Sequence, residues 1–159
     1  MSDALRVVLL EDDPLQAEDH ADKIRQWHPE GGFDPEVVPT ESQFRARLER
    51  GDWDGAGQPD AFILDVMVPW AAPSPRMPPP PPDVVDGGYF RAGIRCAQMV
   101  RGHFSSEPRP AIALLTVLDR SGIDVPPGTR YFGKEGALND LKRWLESLRD
   151  RSDFRRPGL

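Results

Sequence analysis

Five short apolar runs, separated by stretches of helical periodicity, constrain this chain more than any other feature. They are Arg6–Leu10, Phe33–Val38, Ala61–Leu64, Ala111–Leu115 and Arg130–Phe132. Each is too short for a buried helix and rich enough in β-branched or aromatic residues to read as a strand. Ala17, Ala21, Ile24 and Trp27 recur at helical spacing from Pro14 to Trp27, and Pro29 and Gly31 end that helix. Thr40 and Gln43 form a capping-box pattern ahead of Phe44 and Leu48. Phe90, Ile94, Ala97 and Val100 mark a third helical face, and Leu138, Leu141, Leu145 and Leu148 a last one. Strands alternating with helices imply a parallel sheet covered on both sides, an α/β class with right-handed crossovers. A length of 159 residues suits a single domain, 1–159, with its core at about 5–149.

Two segments break the alternation. Of 18 prolines, eight lie between Pro69 and Pro82, and Pro78–Pro82 are consecutive. That run favours polyproline II and excludes helix or interior strand. It predicts a proline-rich loop over 69–86, with regular structure resuming at Asp86-Gly87-Gly88. The second segment, VLDRSGIDVPPGT at 117–129, holds Gly122, Pro126, Pro127 and Gly128. Glycine and proline cost a helix interior about 1 and 3 kcal/mol respectively, so the helix expected between the last two strands is degenerate.

Composition excludes several function classes. One cysteine, Cys96, permits no internal disulfide or cysteine-based zinc cluster, and it reads as a small buried hydrophobe. His20, His28 and His103 have no ligand spacing and read as surface residues. A net charge of −6 argues against a nucleic-acid binder. No apolar run approaches the roughly 20 residues of a membrane span, and the N-terminus lacks a signal-peptide pattern, so no membrane partner and a cytoplasmic location are expected. Neither a P-loop nor a dinucleotide fingerprint occurs.

The chemistry gathers at strand ends. Glu11-Asp12-Asp13 follow the first strand and Asp65 the third, Thr116 ends the fourth, and Lys134 lies two residues past the fifth. A parallel sheet brings all of these to one edge, where open sheets place their ligands. Clustered carboxylates raise one another's pKa, and a hard cation relieves this; Mg²⁺, bound by carboxylates, waters and phosphate oxygens, fits best.

VVLLEDDP, FILDVMVP, ALLT and YFGK, in this order, resemble the receiver domain of bacterial response regulators over about residues 5–149. The resemblance implies a flavodoxin-like doubly wound five-stranded sheet of order 2-1-3-4-5. It implies that Asp65 accepts a phosphoryl group from a histidine kinase or phosphotransfer protein. It further implies Mg²⁺ held by Asp12 directly, by Glu11 through water, by Asp65 and by the backbone carbonyl of Met67. Thr116 then contacts the phosphoryl oxygen, Lys134 pairs with its charge, and Tyr131 is the aromatic switch. Such a chain is not an enzyme beyond slow self-catalysed phosphorylation and dephosphorylation.

The sequence departs from the family pattern at four places. The link after Asp65 is long, Val117 replaces a small residue, Glu135 replaces a proline, and the segment before Tyr131 leaves little room for a helix. About ten residues follow the last helix, so output is expected through an unknown downstream protein. That output is expected to shift to the Pro69–Pro82 loop or to the last helix around Trp144. The alternative is a pseudo-receiver, a binding module that signals without phosphorylation. An aspartate-nucleophile phosphohydrolase ranks lower, because Met67 stands where its general acid belongs.

Overall fold

The computed structural model describes residues 4–155. The ends of the expected domain, 1–3 and 156–159, lie outside the described residues. Five strands, β1 (Leu5–Leu10), β2 (Phe33–Val38), β3 (Ala61–Leu64), β4 (Ala111–Thr116) and β5 (Thr129–Gly133), pair in parallel in the order β2-β1-β3-β4-β5. The helices are α1 (Pro14–Trp27), α2 (Glu41–Glu49), α3 (Pro82–Gly87), α4 (Ala92–His103) and α5 (Leu138–Arg155). This is the flavodoxin-like order expected from the resemblance.

Side chains alternate across the sheet, as the two-residue period of a strand requires. Leu5, Val7, Leu9, Ala61, Ile63, Ala113, Leu115 and Phe132 pack with α1 and α5 through Ala21, Ile24, Leu141, Trp144 and Leu145. Val8, Leu10, Phe62, Leu64, Ile112 and Leu114 pack with α2 and α4 through Phe44, Leu48, Ile94, Ala97 and Val100. Residues flanked on both sides by helices explain why β1, β3 and β4 read as continuous apolar runs. Cys96 is buried in the second of these cores, as expected.

Between β4 and β5 a single 3₁₀ turn, Arg120–Gly122, stands where the degenerate helix was expected. Leu118, Ile123 and Val125 of this link pack against the core in place of a helix face. The sheet is thus covered there by an irregular strap, consistent with the proline and glycine content.

Four expectations need correction. The proline-rich loop does not run to 86: α3 takes its last five residues, 82–86, and Pro82 opens that helix at its first position, where proline's missing N–H costs nothing. Phe90 does not face the core; it lies in a 3₁₀ turn, Tyr89–Arg91, and is exposed. Trp144 is not a free surface but is buried against Phe132. Two of the histidines are not simple surface residues: His20 is half-buried and His28 packs edge-on to Phe33, while His103 is exposed as expected and bonds Asp54. Burial lowers the pKa of His20. In addition, Trp53, in the expected loop between α2 and β3, is buried against Phe44 and Phe62 and donates to Glu36.

The long connection after β3 is pinned rather than loose. Glu41 N–H donates to the carbonyl of Pro69 and Ser42 N–H to that of Trp70, so α2 holds its start. Arg95 of α4 donates to the Gly88 carbonyl and to Glu41, which is fully buried, while Arg45 bridges Glu41 and Asp83. At its end, Gly93 lets α4 meet the strand: a Cβ there would stand 2.3 Å from the Asp65 carbonyl oxygen and 2.9 Å from Val66 Cα. Gly93→Ala should therefore lower stability by about 1–3 kcal/mol, the cost of overpacking. Gly102, in the same helix with open space around it, should gain up to about 1 kcal/mol as alanine. Urea unfolding midpoints of the two variants should move in opposite directions.

Candidate functional site

Backbone pairing places the site. Leu10 and Leu64 are in register, and the ladder runs one residue further: Asp65 N–H donates to the Leu10 carbonyl and Glu11 N–H to that of Val38. Glu11 and Asp65 therefore leave adjacent strands side by side. On the far side of the sheet, Lys134 N–H donates to the Thr116 carbonyl, so β5 ends level with β4.

The Lys134 ammonium closes the group. Its Nζ lies 2.6 Å from Glu11 Oε1, 2.8 Å from Asp65 Oδ2 and 2.7 Å from Gln16 Oε1. Glu11 and Asp65 are only 5% and 8% exposed. Burial raises the Glu11 pKa to about 7, against the opposing hydrogen bond from Lys134 and with some help from the Asp65 charge. Burial also acts to lower the Lys134 pKa, but its hydrogen bonds to Asp65 and Glu11 outweigh this and the net shift is upward. The other Asp65 oxygen, Oδ1, accepts from Met67 N–H at 3.2 Å.

Glu11, Asp12 and Asp65 each bring a carboxylate oxygen within 4.8 Å of the others, a donor set of hard oxygens suited to a divalent cation. Asp12 is exposed at the open side of the cluster. The third acid of the run does something else. Asp13 is the N-cap of α1, accepting from Leu15 N–H and Gln16 N–H, and these bonds, the one from Gln16 foremost, lower its pKa. Asp13 directly before Pro14 is a cap-and-first-turn pattern, so this role had a sequence signal. Gln16, which joins Asp13 to Lys134, had none.

Thr116 and Tyr131 are placed differently from the carboxylate group. Thr116 is fully buried, and its Oγ1 accepts from Leu118 N–H at 3.2 Å. The Tyr131 hydroxyl donates to the Leu118 carbonyl. The two side chains thus hold one residue of the β4–β5 link, Leu118, by its N–H on one side and its carbonyl on the other. Val117, which stands where the family pattern has a small residue, is 61% exposed, with its side chain open to solvent.

Comparison with solved structures gives one informative likeness. The chain is similar to the phosphorylated cyanobacterial phytochrome response regulator RcpA, with 14% identity, a TM-score of 0.59 and 92% of each chain covered. The chain has the fold of a response-regulator receiver domain. No family model matches the chain, and no curated protein matches it in sequence. Among the described residues, no helix is long and apolar enough to cross a membrane.

The receiver edge carries a pH signature. Because folding raises the Glu11 pKa above its ordinary 4.5 to about 7, the folded state holds this proton more tightly than the unfolded state. The stability it contributes is complete below 4.5 and is lost as pH rises through about 7. In metal-free buffer, wild type should lose stability relative to Glu11→Gln between pH 4.5 and 7.5. Thermal melts of the two proteins at stepped pH measure this difference; parallel curves would refute it.

Proposed function

We propose that this receiver accepts a phosphoryl group on Asp65 from a histidine kinase or phosphotransfer protein and signals by protein–protein contact in the cytoplasm. The single observation that carries this reading is the Lys134 ammonium seated between the buried carboxylates of Glu11 and Asp65 at the ends of β1 and β3. A buried acid pair with a cation already in place has one carboxylate to spare for chemistry. The other carboxylates can then bind a metal.

Glu11, Asp12, Asp65 and the Met67 carbonyl would hold Mg²⁺, which when bound supplies positive charge against phosphoryl oxygens. The Asp65 carboxylate forms the new bond to phosphorus while the donor's leaving group departs with its electron pair. Lys134 turns from a resting partner of Asp65 into a countercharge for the transferred group. Thr116 would exchange its bond with Leu118 N–H for one to a phosphoryl oxygen. The carbonyl of the same residue accepts from Tyr131, so this exchange reaches the β4–β5 link and the Tyr131 ring together. The chain acts as a phosphoacceptor rather than as an enzyme with a separate substrate.

Incubation with a small-molecule phosphodonor and Mg²⁺ should add one acid-stable, base-labile phosphoryl group, seen by intact mass. Peptide mapping should place it on Asp65, and Asp65→Asn should abolish it. Unchanged labelling of Asp65→Asn would reject the assignment. A wild type that is never labelled would favour the pseudo-receiver instead.

The same register separates the acids. Asp12→Ala should weaken Mg²⁺ binding by about tenfold or more, since it removes one of the three carboxylates that would anchor the ion. Asp13→Ala should leave Mg²⁺ affinity nearly unchanged and lower thermal stability, because it removes the α1 cap. Calorimetric titration and thermal melts of both variants read the two effects separately.

A further inference from the structure

The connection from Val66 to Arg91 has one part that neither the fold nor the phosphoryl site uses: the proline run. Each of Pro78–Pro81 has its φ fixed by its own ring and its ψ driven away from the helical region by the proline that follows. Pro81 shows the result, with φ −69° and ψ 165°. Such a run is a polyproline II prism with three edges, and residues three apart share an edge about 9 Å per turn.

The protein occupies only one edge. The Trp70 indole N–H donates to the Pro78 carbonyl at 2.8 Å, and Pro81, on the same edge, is half-buried. Pro79 and Pro82, which share the next edge, are exposed, as are Pro80 and, apart from its bonded carbonyl, Pro78. The run is held at both ends by the contacts of Pro69 and Trp70 with α2 and by Arg45 on Asp83. Its conformation is therefore set before any partner arrives, which removes most of the ordering cost of binding.

Charge and apolar surface gather on the same connection. Arg76 is the sole basic residue between Val66 and Phe90. It sits in the turn that Met77 N–H closes on the Ser74 carbonyl, immediately before the prolines. Arg76 is exposed, and its guanidinium meets no carboxylate among the described residues. Met77, Val85, Tyr89 and Phe90, four of the seven exposed large hydrophobic residues among the described residues, also belong to this connection. A mere spacer needs neither an unpaired cation nor a concentration of exposed apolar side chains.

We propose that the Pro79–Pro82 edge, led by Arg76, is a docking ligand for a partner domain that reads polyproline II in a groove of aromatic side chains with a carboxylate at one end. Aromatic grooves take this conformation through alternate proline contacts, and an acidic rim selects a flanking cation. The inference is independent of phosphorylation at Asp65.

The test uses the full chain and, as probe, a purified SH3 domain that selects a basic residue followed by two prolines with two residues between them. Calorimetry should give saturable binding in the micromolar to sub-millimolar range. The Pro79→Ala/Pro82→Ala double variant and, separately, Arg76→Glu should each weaken it by about tenfold or more, while Pro78→Ala/Pro81→Ala changes it by less than about threefold. Far-UV circular dichroism checks that each variant is folded; Arg76→Glu, in an exposed turn, keeps the test decisive if a proline variant is not. Asp65→Asn should bind as wild type does. No binding at millimolar probe, equal loss from the two proline pairs, or an Arg76→Glu variant that binds unchanged would each overturn the proposal.

Discussion

The Lys134 ammonium between Glu11 and Asp65 is the interaction on which the receiver edge depends. Two carboxylates leaving adjacent strands at the Leu10–Leu64 register cannot both be buried and charged without compensation. Lys134 supplies it from the end of β5, 123 residues away in sequence from Glu11. Its reach requires β5 to end level with β4, which the Lys134–Thr116 backbone bond secures. Even with this partner, burial leaves Glu11 with a pKa near 7, so the edge has an unmet demand for positive charge. A divalent cation held by Glu11, Asp12 and Asp65 would meet that demand.

Around that edge, the connection after Asp65 is organised by a second set of charges. Glu41 is fully buried and takes both Arg95 and Arg45, and Arg45 also takes Asp83. Buried ion pairs add little net stability, but removing one partner strands a charge, so such a set specifies one arrangement. Here it fixes α2, α3 and α4 relative to each other. Gly93 then brings α4 onto the Asp65 backbone at a distance no side chain permits. A connection of this length, rich in proline, would otherwise sample many paths. The network and the glycine contact leave it one, and the polyproline edge emerges from it in a fixed place.

The β4–β5 link shows a different economy. Its prolines and glycines forbid a helix, yet Leu118, Ile123 and Val125 still cover the sheet. The Leu118 backbone is held by Thr116 at its N–H and by Tyr131 at its carbonyl. An irregular strap thereby keeps a hydrogen-bonded route from the end of β4 to β5.

The sequence by itself determined the elements and the edge. Short apolar runs between amphipathic stretches admit only a covered parallel sheet, and acids placed directly after such runs must meet at its C-terminal edge, because strand direction is the same throughout. Thr40 as a cap, Cys96 as a core residue and the missing helix before β5 were legible for equally local reasons: hydrogen-bonding chemistry, size, and proline's lack of an N–H. Tertiary structure alone decided what depends on contacts between distant segments. It brought Gln16 to Lys134. It buried Trp53 and Trp144, turned Phe90 outward, and paired Glu41 with Arg95. In each of these cases the local pattern is compatible with either outcome. A side chain's partner is then chosen by which surface the packed sheet leaves within reach, and no window of neighbouring residues contains that information.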